Sequence, residues 1–326
     1  MIARKLLCGL LLVSAMTLTA PVYAQVRLAD GRNLDPVDYL EDLWKLTKDK
    51  FYDPGVLNQK GWRRIGERYL AMASEIDGQA EMHQLANDML AELKTSHLVV
   101  VHGEVYRDHL QVEFQNKKAP LLGLEIAEID NQYFVASVLE HGPAAKAGLK
   151  IGDQVTSIDG LRTRDAEGFY RAGHDPGLPG VPGYVLSVKD GQRVDFVFRQ
   201  TKAGALKRIQ VTAKKYNMIQ AIKDSLQVGK YTGRRIGVIH FWHFIHIEVA
   251  RTLQKALNCK FSNVDAIVLD LRGRGGSTLV INSILNMVKR HKRKNPEVPF
   301  LCLTDSHTRS AKEIFSYSWQ KQSLGP

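Results

Sequence analysis

The sequence predicts an α/β protein in which a helical N-terminal region and a β-rich domain precede an α/β core. Three observations support this fold class. Apolar residues recur at helical spacing over residues 36–51 and 81–93. Short alternating apolar runs with glycine punctuation fill residues 119–213. From residue 214 onwards, strand-like apolar runs alternate with helical patterns, which is typical of an α/β core.

The composition is that of a folded protein. The chain has 326 residues, of which 44% are hydrophobic, so it can bury a core and form two or three domains. Its formal net charge is +11 at pH 7. We do not expect a nucleic-acid partner, because no recognised binding module is present. The densest basic run, residues 289–294, is interpreted as the solvated C-terminal end of a helix.

Residues 1–24 have the features of a secretory signal peptide. Arg4 and Lys5 precede an apolar run over residues 6–12, and the segment ends at Ala24. The alternative is a membrane anchor, but the apolar run is short, and Ser14, Thr17 and Thr19 interrupt its continuation. We therefore expect cleavage after Ala24, export to the periplasm or the medium, and no stable membrane anchor.

The region from residue 25 to residue 118 is predicted to be helical. Asp35 followed by Pro36 is a typical helix start, with an N-cap residue and proline at the first helical position. A further predicted helix runs from Glu81 to Leu93 and leads into the polar segment 94–97.

The domain over residues 119–213 contains three runs that carry a resemblance. They are residues 120–126, 134–138 and 142–160. These runs resemble a PDZ domain, a β-rich module that binds peptide C-termini. A loop over residues 177–183 follows where such a domain normally has its next turn.

The PDZ resemblance implies a groove for a peptide. In this family, backbone N–H groups of one loop receive the C-terminal carboxylate, and the peptide adds a strand to the sheet edge. The corresponding residues here are Leu121, Leu122, Gly123 and Leu124. The apolar side chains favour peptide or unfolded-protein partners with apolar C-termini. The alternative is that Gly123 only makes a turn and that the domain has a structural or gating role.

Two segments of the core, residues 214–326, carry candidate chemistry. An apolar strand over residues 266–271 ends in a turn with Gly275 and Gly276, whose freed backbone N–H groups could stabilise an oxyanion. A phosphate-binding loop is the rival interpretation, but the P-loop lysine and the dinucleotide spacing are absent. Further on, a strand and a polar turn place Ser310 at the start of a predicted helix, another favourable position for an oxyanion.

The PDZ-like unit, the glycine turn and residues 310–315 together resemble the S41 serine peptidases, which include C-terminal processing and tricorn-type enzymes. The resemblance implies a crotonase/ClpP-like core. It also implies Ser310 as the nucleophile and an oxyanion hole formed by Ala311 and by Gly275 or Gly276. No metal or cofactor is implied.

The resemblance leaves two schemes for the general base. Processing proteases use a lysine downstream of the serine, whereas tricorn-type enzymes use a Ser-His pair and a downstream glutamate. Ser96 and His97 lie where the tricorn-type pair is found, so we expect His97 as the base and Ser96 as its orienting partner. Neither downstream residue is reached by residue 326. We therefore expect a truncated or frameshifted product, or a fragment, with an incomplete core.

Three histidines, His240, His243 and His246, suggest a metal site, but no carboxylate or cysteine completes a ligand set at useful spacing. We interpret them as cleft or core residues. The sequence thus predicts an exported serine endopeptidase that acts on peptides or unfolded proteins. The alternatives are an inactive peptide-binding PDZ protein and, less directly, a carrier of apolar ligands. The oligomeric state is not predicted.

Overall fold

The computed structural model describes residues 35–76, 78–95, 98–100, 115–171 and 183–326. The predicted signal peptide lies outside these residues. The chain divides into two compact units, Met1–Gly103 and Glu104–Pro326, and each is described by itself. Within the described part of the chain, no helix is both long enough and apolar enough to cross a membrane.

The first unit contains four described helices. They are α1 (Pro36–Lys50), α2 (Pro54–Lys60), α3 (Trp62–Ala73) and α4 (Gln79–Ala91). The predicted start of α1 is present, because Asp35 Oδ1 accepts the N–H of Val37 at 2.9 Å. Trp44 and Trp62 each donate an indole N–H to the other's backbone carbonyl, which joins α1 to α3. Their apolar faces form one buried cluster around Leu40 and Met89.

The second unit begins with a β-rich part. Its strands are β1 (Ala119–Leu121), β2 (Leu124–Ile129), β3 (Gln132–Val138), β4 (Gln154–Ile158), β5 (Leu161–Arg162), β6 (Phe169–Arg171), β7 (Gly183–Leu186), β8 (Arg193–Arg199), β9 (Lys207–Thr212) and β10 (Lys214–Tyr216). One short helix, α5 (Pro143–Ala147), follows β3. Seven strands form a sheet in the order β6-β7-β2-β3-β4-β8-β9, β5 pairs with β4, and β1 pairs with β10. Most of the predicted loop insertion lies outside the described residues.

The rest of the second unit is an α/β layer, as the sequence predicts. Its strands are β11 (Gln227–Tyr231), β12 (Arg234–His240), β13 (Ala266–Asp270) and β14 (Phe300–Leu303). Its helices are α6 (Met218–Asp224), α7 (Glu248–Asn258), α8 (Ile281–Lys294) and α9 (Ala311–Lys321). The strands pair in chain order. The pairing of β12, β13 and β14 is parallel, so their carboxyl ends meet at one edge.

Helix packing covers this sheet with apolar side chains. Leu253 of α7, Ile284 of α8 and Phe315 of α9 belong to the same buried cluster as Ile267 of β13. The alternation of strands and amphipathic helices therefore closes one continuous core. It leaves the loops after β12, β13 and β14 at a common edge, where ligands of open α/β sheets are usually bound.

Candidate active site

The candidate site lies at the carboxyl edge of the parallel strands. His240 at the end of β12 is paired in register with Asp270 at the end of β13. Asp270 is in turn paired with Leu303 at the end of β14. The three loops that leave these strands carry the glycine turn and the segment that leads to Ser310.

Ser310 has a strained backbone. Its φ is 57° and its ψ is −126°, a region that residues with a Cβ rarely adopt. It directly precedes α9, and its N–H donates to Glu313 Oε2 at 2.5 Å. The side chain is only partly buried. A strained residue of this kind at the start of a helix is often found at functional sites.

Gly275 brings the glycine turn against Ser310. A Cβ placed on Gly275 would lie 3.0 Å from the Ser310 Cβ and 3.1 Å from the Arg309 carbonyl oxygen. Contacts this close are uncommon for a Cβ, so a side chain at this position would require Ser310 or Arg309 to shift by a few tenths of an ångström. The structure thus brings together three residues that the sequence predicts for nucleophile and oxyanion hole, namely Ser310, Ala311 and Gly275.

Gly276 lies one residue further, against the backbone of Phe244. A Cβ at this position would approach the Phe244 nitrogen to 2.5 Å. The Phe244 N–H donates to the Gly275 carbonyl at 3.1 Å, and the Ser277 N–H donates to the Phe244 carbonyl at 3.2 Å. The segment after β12 therefore fixes the far side of the glycine turn.

An ion pair between the buried Asp270 and the exposed Arg272 supports the start of the same turn. Asp270 is 4% exposed, and Arg272 Nη2 donates to its Oδ2 at 2.6 Å. Burial would raise the pKa of Asp270, but the hydrogen bond from Arg272 and the nearby His240 ring hold that pKa below its ordinary value. Asp270 is therefore ionised at neutral pH and fixes the direction in which the turn leaves β13.

Asp305 stabilises the turn before Ser310 through hydrogen bonds. Its Oδ1 accepts the N–H groups of Gly273 at 3.1 Å and Thr308 at 2.8 Å. His307 Nδ1 lies 3.1 Å from its Oδ2. Partial burial would raise the pKa of Asp305, but these hydrogen bonds lower it below its ordinary value. Asp305 thus joins the glycine turn to the serine segment, a role that the sequence did not indicate.

The β-rich part contacts the site through two acidic residues. Glu140, which follows β3, accepts the indole N–H of Trp242 at 2.6 Å, and its other oxygen lies 2.7 Å from His240 Nδ1. Glu125 of β2, which is 7% exposed, forms an ion pair with Arg274 of the glycine turn. The turn is therefore held from the β-rich part as well as from the core.

The three histidines of the core have structural hydrogen bonds. His240 Nε2 lies 3.2 Å from the Arg272 carbonyl oxygen. His243 is 2% exposed and its Nδ1 accepts the Ile245 N–H at 2.9 Å, while His246 Nδ1 accepts the Glu248 N–H at 3.2 Å. Among the residues that the structure describes, no group of three or more His, Cys, Asp or Glu could hold a metal ion.

The predicted base and its orienting partner are not among the described residues. The catalytic roles of His97 and Ser96 therefore stay predictions. Thr95 directly before them is described, and its hydroxyl donates to the Leu93 carbonyl at 3.2 Å after the end of α4.

The predicted carboxylate loop lies within the described residues, and its role in peptide binding stays a prediction. Leu121 ends β1, and Leu122 is buried. The Gly123 carbonyl accepts the Leu139 N–H at 2.9 Å, and its φ of 77° explains the need for glycine. Leu124 begins β2.

One edge of β2 is partly occupied by the chain itself. β7 pairs antiparallel with β2, with Tyr184 opposite Ile126 and Gly183 opposite Ala127. A peptide that adds a strand to this edge can pair only with the part of β2 that β7 leaves open. The sequence did not predict this pairing.

Lys312 also has a position in this region that the sequence did not indicate. It is 0% exposed although it lies in the first turn of α9. Its Nζ donates to the Gly273 carbonyl at 3.0 Å. A lysine at a helix start is normally taken as a solvated side chain, so only the tertiary structure reveals this contact.

Comparisons with known proteins agree with this architecture. The family model described as Tricorn protease C1 domain matches residues 38–91, and a PDZ domain model matches residues 134–176. A carboxyl-terminal-processing protease from Picosynechococcus is 24% identical over 276 residues, which cover 84% of this chain and 60% of the relative. A putative tricorn protease homolog 2 from Streptomyces coelicolor is 22% identical over 326 residues, covering 88% of this chain and 25% of the relative.

A solved structure shares the fold. The photosystem II D1 C-terminal processing protease superposes with a TM-score of 0.53 at 17% identity, covering 90% of this chain and 80% of that one. The fold is therefore similar to that of this processing protease. More particularly, the comparisons support a resemblance to S41 family peptidases with a PDZ domain. It spans 60% or less of the length of the two curated relatives described above.

Proposed function

We propose that this protein is an exported serine endopeptidase that cleaves peptides or unfolded proteins through an acyl-enzyme. The observation that carries the proposal is the strained Ser310 in contact with Gly275 at the carboxyl edge of the sheet. The names of the curated relatives support a peptidase activity. A crotonase/ClpP-like core is part of the proposal, as is removal of residues 1–24 during export.

The proposed reaction begins with attack of the Ser310 hydroxyl oxygen on a peptide carbonyl carbon. His97 takes the hydroxyl proton, and Ser96 orients the imidazole. The N–H groups of Ala311 and of Gly275 or Gly276 stabilise the negative oxygen of the tetrahedral intermediate. The C–N bond then breaks as His97 returns the proton to the leaving amine, and water hydrolyses the ester with His97 as base.

The β-rich part is proposed to select the substrate. In this proposal the loop over residues 121–124 receives the substrate C-terminus, with a preference for an apolar last residue. Glu125 contacts Arg274 of the glycine turn and Glu140 contacts Trp242 after β12, so the position of this domain can affect the site.

A fluorophosphonate probe tests the nucleophile directly. We expect mass spectrometry to find the label on Ser310 and the Ser310→Ala variant to lose both labelling and cleavage of an unfolded protein. Ser306→Ala is the matched control, since Ser306 is an exposed serine of the same turn. Label on another residue, or cleavage by Ser310→Ala, would refute the assignment. Peptide binding without labelling of the native chain would favour the inactive peptide-binding alternative.

A further inference from the structure

Lys312 has a position that runs against local preferences. Lysine is almost never fully buried unless its ammonium is paired, yet Lys312 is 0% exposed. It is the second residue of α9, at the positive end of the helix dipole, where a cation is unfavourable. A residue that breaks two local rules requires compensation from its surroundings, and such positions are concentrated at functional sites.

Backbone carbonyl groups supply that compensation. The Lys312 ammonium donates to the carbonyl oxygens of Gly273 at 3.0 Å, Trp242 at 3.3 Å and Arg272 at 3.5 Å. These oxygens come from the loop after β12 and from the glycine turn after β13. A buried ammonium with its donors directed at carbonyl groups is a stable arrangement, whereas the same converging oxygens without a cation would repel one another.

Because of the geometry of the peptide bond, the hydrogen bonds of Lys312 to these carbonyl groups also orient the N–H groups that follow them, towards Gly275 and Ser310. In a trans peptide the C=O and the following N–H point in opposite directions. The Arg272 carbonyl faces Lys312, and the Gly273 N–H accordingly donates to Asp305 on the other side at 3.1 Å. By the same rule, the Gly273 carbonyl directs the Arg274 N–H away from the lysine. The next residue is Gly275, which lies so near Ser310 that an added Cβ would be 3.0 Å from the Ser310 Cβ.

We propose that Lys312 is a positioning residue that holds the glycine turn, through the carbonyl groups of Trp242, Arg272 and Gly273, in the orientation that presents Gly275 to Ser310. The inference rests on the proposed acyl-transfer function for its catalytic consequence. Its structural part is independent of activity, because it concerns the order of the turn alone. Lys312 is not the base in this proposal, since its ammonium is directed at carbonyl oxygens.

Hydrogen exchange measures the order of the turn. In Lys312→Met, which keeps the length and removes the charge, we expect peptides covering residues 272–276 to exchange at least about tenfold faster. The protection of β13 remains as in the native chain. Lys321→Met is the matched control, because Lys321 is an exposed lysine near the other end of α9. Native exchange rates over residues 272–276 in a folded Lys312→Met variant would overturn the proposal.

A second measurement uses the native chain and does not depend on the folding of a variant. Nitrogen-15 labelling of lysine side chains should reveal one ammonium group whose protons exchange slowly with water. The folded Lys312→Arg variant, which keeps the charge, should lack that signal and so assign it. A native spectrum without any protected lysine ammonium would overturn the proposal.

The rate at which the fluorophosphonate probe labels Ser310 measures how the orientation of the glycine turn affects the reactivity of the serine. We expect Lys312→Met to lower the labelling rate constant about 100-fold, which is typical for loss of an oxyanion-hole donor, with partial recovery in Lys312→Arg. The pH midpoint of labelling should stay unchanged, because the base is elsewhere. An unchanged rate or a shifted midpoint would contradict the positioning role. If the native chain is not labelled, the proposed function fails, while hydrogen exchange still decides the role of Lys312.

Discussion

At the scale of single residues, the absence of a side chain at Gly275 allows the glycine turn to approach Ser310 closely. Any Cβ there would press on the Ser310 Cβ and on the Arg309 carbonyl oxygen. We expect Gly275→Ala to slow fluorophosphonate labelling of Ser310 about 100-fold, since small displacements of reacting groups have effects of this size. The same variant should lose only about 1–3 kcal/mol of unfolding free energy, as overpacked sites do.

Gly229→Ala is the control for this substitution. Gly229 lies in β11, and a Cβ built on it meets no atom within 4 Å. Urea denaturation and labelling of the two variants are compared with the native chain. Rapid labelling of Gly275→Ala would mean that the turn does not approach the nucleophile as closely as the structure indicates.

The ionised carboxylate of Asp270 is expected to stabilise the fold in a pH-dependent way. Its folded-state pKa is lowered, so the carboxylate stabilises the fold above the unfolded pKa of about 3.9, and this contribution is lost as the pH falls through the folded pKa. We expect Asp270→Asn to lower the Tm near neutral pH and the difference from the native chain to shrink below about pH 4.

Thermal unfolding followed by circular dichroism at several pH values measures this difference. Asp130→Asn is the control, because Asp130 lies in an exposed turn with φ of 50°, a conformation that asparagine also tolerates. A Tm difference for Asp270→Asn that stays constant from neutral to acidic pH would contradict the role of the ionised carboxylate.

At the scale of elements, Glu140 joins the end of β3 to the end of β12. Trp242 and His240 are 6% and 9% exposed, so removal of the acceptor leaves buried polar groups without their partner. We expect Glu140→Ala to lower the free energy of unfolding by about 1–3 kcal/mol, the usual effect of an unsatisfied buried group. Glu140→Gln, which keeps an acceptor oxygen, should lower the free energy of unfolding by a smaller amount.

Urea denaturation measures both variants, with Glu167→Ala as the control because Glu167 is exposed in the same β-rich part. Tryptophan fluorescence should also report a changed environment in Glu140→Ala. Equal stability of Glu140→Ala and Glu167→Ala would show that the contact is dispensable.

At the scale of the whole molecule, the sequence predicted the features that depend on local spacing but not the contacts between distant residues. The alternation of strands and helices indicated the α/β core, and the runs of residues 120–160 indicated the PDZ domain, because both depend on short spacing. The pairing of β7 with β2 and the burial of Lys312 depend on residues about 40 to 70 positions apart. Sequence spacing carries no signal for such contacts, and local preference even favours an exposed lysine.

The proposed export of the protein gives the last prediction. Arg4 and Lys5, the apolar run and the small Ala24 predict cleavage between Ala24 and Gln25. When the full sequence is expressed in a bacterium with a periplasm, we expect mass spectrometry of the processed protein to give Gln25 as the first residue. Ala24→Phe should retain the leader, because the peptidase requires a small residue before the cleavage site, whereas Ala3→Phe should be processed normally. An unprocessed native chain in the cytoplasm would refute export and would place the proposed peptidase with cytoplasmic substrates instead.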